Sequence, residues 1–111
     1  MYANMKDTEI LTATMSSSTT SNTLSLGGRA VIGVVISTAL SNATLTLHGS
    51  VDGTNFFALK EKDGTTVAIT TATTTGFYKI SPSLTDGVPH LRLVSGGSET
   101  VSVSVIAVNY K

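Results

Sequence analysis

Few side chains in this sequence are suited to catalysis or ligation, and they are scattered. The 111 residues hold two histidines and no cysteine. His48 follows Thr44 and Thr46 on the polar side of a stretch whose other side is Ala43, Leu45 and Leu47, and His90 shares a side with Arg92 opposite Leu91 and Leu93. A metal site needs further ligands at close spacing. Neither histidine has one, so both read as solvated. Serine is abundant, but no Gly-x-Ser-x-Gly elbow occurs, and a Ser-His-Asp triad is defined by geometry rather than by order in the chain. No catalytic residue is expected.

Asp52, Asp63 and Asp86 each precede a glycine. A calcium loop of the EF-hand kind needs oxygen ligands at several alternating positions and a closing glutamate, which none of the three segments supplies. Turn formation accounts for all three pairs. Gly27-Gly28-Arg29 and Gly96-Gly97 lack the motif of a phosphate loop and read as turns. Asn42-Ala43-Thr44 matches a glycosylation acceptor by accident, since the first residues lack the layout of a signal peptide. No metal or cofactor is expected.

Seven basic and seven acidic residues balance, so no long-range field holds nucleic acid or an anionic membrane. The longest aliphatic run, from Ala30 to Ile36, is far shorter than the ~20 residues of a membrane helix. Charged residues make up only 13% of the chain, and Ser and Thr together about three residues in ten. Threonine is β-branched and suits a half-wet pleated sheet. With no Trp and only three Tyr and three Phe, sugar-stacking platforms are scarce, so sugar binding is not expected.

The elements follow the same grain. Ile10 to Met15 predicts a first, edge strand, and Ser16 to Asn22 a polar loop. Residues 1–22 together read as an N-terminal arm with that edge strand, and residues 23–111 as a single β-sandwich domain. Thr23 to Leu26, Arg29 to Ser37, Ala43 to Ser50, Asn55 to Lys60, Val67 to Thr70, Phe77 to Ile80, Val88 to Val94 and Thr100 to Val108 predict further strands. Asp52-Gly53 predicts a tight hairpin turn, and Ser95-Gly96-Gly97-Ser98 the last tight loop. Seven to nine short strands with turn signals about every ten residues predict an all-β, antiparallel, jelly-roll-like β-sandwich. Its expected core is Val31, Val34, Ile36, Leu45, Leu47, Leu59, Leu91, Leu93, Val101, Val103 and Val105.

From Leu26-Gly27-Gly28-Arg29, through Leu45-Thr46-Leu47-His48-Gly49-Ser50-Val51-Asp52-Gly53-Thr54-Asn55-Phe56 and Leu59, to Leu91-Arg92-Leu93 and Ser95-Gly96, the chain resembles small structural proteins of tailed-phage virions encoded near head genes. The resemblance covers residues 23–108. It implies a jelly-roll-like sandwich on the virion surface, with no catalytic residues to carry over. The stretch from Ser50 to Phe56 also resembles a hairpin of jelly-roll sugar-binding modules, with Phe56 where Trp is common.

The expected function is therefore non-enzymatic: a capsid decoration or cement protein, made in the host bacterial cytoplasm, that binds the major capsid protein and itself, as a homotrimer. A neck, tail or fibre-associated protein that touches the host surface, and a carbohydrate-binding module, are the alternatives. Partner contacts are expected at Met1, Tyr2, Met5, Ile10 and Leu11 in the N-terminal segment, and at Ile106 and Val108 on the outward face of the last strand.

Overall fold

A computed structural model describes residues 6–110. Eight strands follow one another: β1 (Lys6–Thr20), β2 (Leu24–Ser25), β3 (Ala30–Ile36), β4 (Leu45–Ser50), β5 (Phe57–Ala58), β6 (Ala68–Ile69), β7 (Gly76–Lys79) and β8 (His90–Tyr110), with a 3-10 turn at Pro82–Leu84. The expected antiparallel all-β fold is present, and its two walls belong to one curled sheet. The order is β5-β4-β8-β3-β7, with β1 and β2 on the other flank of β8 and β6 beside β4.

β8 is the spine of both walls. Its first stretch pairs with β4, from Ser50↔His90 to Leu45↔Ser95, and with β2 at Leu24↔Leu91. Its second stretch pairs with β1 from Ser16↔Thr100 to Lys6↔Tyr110, and with β3 from Val35↔Ser104 to Ala30↔Val108. Ser95 to Ser98, expected as a loop between two strands, is instead a corner within one. Between the pairs Thr20↔Val94 and Ser18↔Glu99, β1 advances two residues (18 to 20) while β8 advances five (94 to 99). Such a mismatch bends the longer strand and increases its twist. Ser17, with φ of 50°, takes up the turn on the β1 side.

β1 corrects a second expectation. Ser16 to Asn22, read as a loop from its polar composition, is strand as far as Thr20. Ser and Thr along β1 face the Ser and Thr of β8, for example Thr14 Oγ1 and Ser102 Oγ at 3.1 Å. The ladder partner lies near the other end of the chain, where local composition carries no trace of it.

Glu99 fastens the corner. It is buried, yet its carboxylate accepts hydrogen bonds from Ser41 N (2.9 Å), Asn42 N (3.0 Å), Asn42 Nδ2 (2.7 Å) and Ser95 Oγ (3.1 Å). Burial pushes its pKa up, but these donors outweigh burial and hold the carboxyl below the usual glutamate range. The loop from Ser41 can approach because residue 97 is glycine: a Cβ there would stand 2.6 Å from Asn42 Nδ2.

The core fills the space between the walls. Leu45, Leu47, Leu91 and Leu93 come from one wall; Val31, Val34, Ile36, Val103, Val105, Ala13 and Met15 come from the other. In β3 the register shifts between Val31↔Ala107 and Gly33↔Ile106, leaving Ile32 as a bulged residue. That bulge turns both Val31 and Val34 inward and Gly33 outward. Of the expected core, Leu59 and Val101 are only partly buried, and the rest is buried.

Leu47→Ala and Leu93→Ala are each expected to destabilise by about 2–5 kcal/mol, the usual penalty for a cavity between rigid walls, read as a lower denaturant midpoint with an unchanged m-value. For Glu99 the sign follows from a folded pKa below the unfolded one. Its stabilisation is complete above the unfolded glutamate pKa and is lost as pH falls through the folded value. Glu99→Gln should therefore lower stability at pH 7 by about 2 kcal/mol, the scale of hydrogen bonds to a charged acceptor. The gap between variant and wild type in thermal unfolding should narrow as pH drops below about 4.

Candidate interaction surfaces

Three surface features concentrate apolar or unpaired groups. The first is the outer face of the wall β1-β8-β3-β7. Side chains alternate across a strand, so the partners of inward residues form an outward row. Ile10 of β1 is paired with Ile106 of β8, Ile106 with Gly33 of β3, and Gly33 with Lys79 of β7, while Val35 is paired with Phe77. The Phe77 ring lies over Gly33, where a Cβ would run into Phe77 Cε1. An apolar stripe of Ile10, Ile106, Val35 and Phe77 thus crosses four strands. Ile10 is 65% exposed and Phe77 59%; Ile106 and Val35 are half-buried.

The second feature is a cleft of about 570 Å³ at the end of the sandwich where β4 leads into β5. Gly49 forms its floor, where a Cβ would stand 2.7 Å from Leu59 Cδ2 and 2.9 Å from Val88 Cγ1. Val51, Phe57 and Pro89 form its apolar rim, with Lys60 and Asn55 beside them. Val51 is 86% exposed and Phe57 74%. The loop carrying Val51 is held by its own polar groups. Ser50 Oγ accepts from Asp52 N and Gly53 N, and Asp52 Oδ1 accepts from Thr54 N and Asn55 N at 2.9 Å. These bonds, chiefly those from the Asn55 and Thr54 amides, hold the Asp52 carboxyl far below the usual range. Gly53 has φ of 79°, as the Asp-Gly pair predicts, but β4 and β5 pair only from Gly49↔Phe57, so the connection is a six-residue loop (51 to 56) rather than a two-residue turn.

The third is the outer face of β4 and β8. His48 stands opposite Arg92, and His90 opposite Ser50. The Arg92 guanidinium lies 4.2 Å from the centroid of the Phe56 ring, a cation–π contact. His48, expected to be solvated, is half-buried with its Nδ1 enclosed and without a partner among the described residues. Burial, and then the Arg92 charge, lower its pKa, so the ring is neutral at pH 7. Among the described residues no three His, Asp or Glu side chains gather.

Of the residues expected to contact partners, Ile10 is exposed, and Leu11 and Ile106 are half-buried. Leu11 packs against the core rather than facing out. Val108 is a correction: it is 1% exposed. It is paired with Ala30 and borders a recess lined by Pro82 and Ser83, so the segment after β7 covers the outer face at that point. Met1, Tyr2 and Met5 lie outside the described residues. Phe77, Val35, Val51 and Phe57 were not anticipated. Phe57 carried a signal, because adjacent residues of a strand face opposite ways and Phe56-Phe57 cannot both turn inward. Val35 carried none, since its facing is set by the bulge at Ile32.

No protein-family model matches the chain, and no curated protein does. Among solved structures the chain is similar to the SPBc2 prophage-derived protein YomS, with a TM-score of 0.63 and 15% sequence identity over 100% of this chain and 99% of that one. At that identity the likeness to this prophage-derived protein is one of fold alone.

Proposed function

We propose that this chain is a non-enzymatic structural protein of a phage virion, a decoration or cement subunit that binds the outer surface of the capsid shell. The observation that carries this reading is the apolar stripe of Ile10, Ile106, Val35 and Phe77 on a sheet wall otherwise covered by Thr and Ser. A wall of short hydroxyl side chains carries little side-chain entropy to lose on docking, and an apolar row across it gains from being covered by protein. The near-absence of charge suits packing of many copies on one shell. A phage origin is supported by the full-length fold likeness to a prophage-derived protein, and by the sequence resemblance to virion proteins. The major capsid protein is the partner this reading names.

The cleft favours a second reading, a virion protein near the tail or fibres that touches the host surface. Its exposed Phe57 and the neighbouring Asn55 and Lys60 join an apolar face to polar groups, the chemistry of a site for a sugar or an apolar peptide side chain.

Two measurements separate the readings. On emptied phage heads lacking the protein, wild type should bind in saturable numbers. Phe77→Asp, which alters an exposed ring, should keep its thermal midpoint within a few degrees while its affinity for heads falls about tenfold or more. Phe57→Ala should leave head binding unchanged. Loss of head binding by Phe57→Ala with Phe77→Asp silent, or binding to host cells in place of heads, would transfer the function to the cleft.

A further inference from the structure

We infer that the outer edge of β1 is a self-recognition edge, on which a second copy of the chain pairs its own β1 antiparallel with Ile10 opposite Ile10. The argument starts from which backbone groups of β1 are used. β1 is hydrogen-bonded along its length to β8, and the register is unbroken from Lys6↔Tyr110 to Ser16↔Thr100. In an antiparallel strand successive residues direct their N–H and C=O alternately to one side and the other. Thr14 N donates to Asn22 Oδ1 (2.7 Å), Thr14 O accepts from Asn22 N (3.2 Å), and Thr12 O accepts from Asn22 Nδ2 (3.3 Å). Even-numbered residues of β1 therefore turn their backbone groups away from β8. Asn22 caps that edge at Thr12 and Thr14, and the cap stops there. Thr8 and Ile10 turn their N–H and C=O the same way, with no partner among the described residues, and both residues are exposed.

An open stretch of edge is a template for another strand, and charge and side chains select which. Pairing through a twofold axis at Ile10 sets Thr8 opposite Thr12 and Glu9 opposite Leu11; the Ile10 pair forms two interchain hydrogen bonds and Thr12 N adds one on each side, about four in all, because Thr12 O is already taken by Asn22 Nδ2. An axis at Glu9 would oppose two Glu9 residues, and an axis at Thr8 would oppose Asp7 and Glu9; like charges across a pair are destabilising. Directly opposed residues share a face, so the Ile10 axis places one exposed Ile10 against the other. The two apolar stripes then run on as one, Phe77–Gly33–Ile106–Ile10 meeting its own reverse. A second copy is the occupant that this edge fits on every count, and the contact is isologous, closing at two. This inference is independent of the capsid reading, and the expected homotrimer is one of the outcomes that would overturn it.

The chain has no cysteine, so single cysteines read the register directly. Opposed residues in a hydrogen-bonded pair have Cα atoms about 5.5 Å apart, within disulfide range. Ile10→Cys should cross-link to a covalent dimer under mild oxidation, while Thr8→Cys and Glu9→Cys should stay uncross-linked. Analytical ultracentrifugation of wild type at tens to hundreds of micromolar should show a reversible dimer. Ile10→Pro removes an N–H that points away from β8, so the intrachain ladder keeps all its donors. Its circular dichroism should match wild type, and its dimer dissociation constant should rise about thirtyfold, the loss of two ordinary hydrogen bonds. Thr8→Pro, at the next outward N–H, provides a second such variant should Ile10→Pro unfold. A wild-type monomer at these concentrations, a trimer, cross-linking at Thr8→Cys or Glu9→Cys in place of Ile10→Cys, or a folded proline variant that dimerises as wild type would each overturn the inference.

Discussion

The architecture depends on one strand that serves two walls. β8 must continue its backbone pairing through a corner, and a corner in a strand strips some backbone groups of their ladder partners. At the corner Gly96 N donates to Thr44 O and Gly97 N to Ser95 Oγ, and an acid ties the neighbouring loop to it. Glu99 sits buried at the bend and accepts from two backbone amides, one side-chain amide and one hydroxyl. A buried carboxylate is expensive when alone, and here it is retained because the donors around it are otherwise unpaired. The clamp ties the loop after β3 to the corner, which places β3 and β4 on the same flank of β8, one on each wall. The facing of every core residue follows from that placement.

The same corner determines what is left outside. Because β8 occupies the centre of both walls, β1 can pair with it on one flank only, and β1 ends as a long edge. Asn22 closes part of that edge with three hydrogen bonds, and the crossing from β1 to β2 brings it there. The part nearer the N-terminus has no partner among the described residues. On the adjoining face the bulge at Ile32 turns Gly33 and Val35 outward, and Phe77 fills the depression over Gly33. The apolar stripe is thus a consequence of packing the inner face: one extra residue in β3 aims Val31 and Val34 at the core and leaves their neighbours facing solvent.

The polar surfaces show a different economy. Asp52 and Asp63 hold their carboxyls low by accepting amides of their own turns, Asp63 chiefly from Thr65 N, and so shape their loops. His48 is kept neutral by burial and by Arg92, and Arg92 is steadied by the Phe56 ring. These groups stiffen the outer face of the β4 wall and the loop that frames the cleft.

Much of this was legible from sequence alone, wherever the cause was local. Alternation in residues 43–50 and 91–94 placed Leu45, Leu47, Leu91 and Leu93 in the core, because side-chain facing in a strand has a period of two. Asp52-Gly53, Asp63-Gly64 and Asp86-Gly87 announced their turns, since glycine alone enters positive φ freely. The antiparallel all-β fold followed from threonine and from turn spacing. What only the tertiary structure decided was everything that depends on a distant partner. Ser16 to Thr20 became strand because β8 lay alongside; Ser95 to Ser98 became a corner because Glu99 found Ser41 and Asn42; Val108 was covered by the segment after β7. A polar, glycine-containing stretch is equally suited to a loop and to a bent strand, and the choice is made by hydrogen-bond partners far away along the chain.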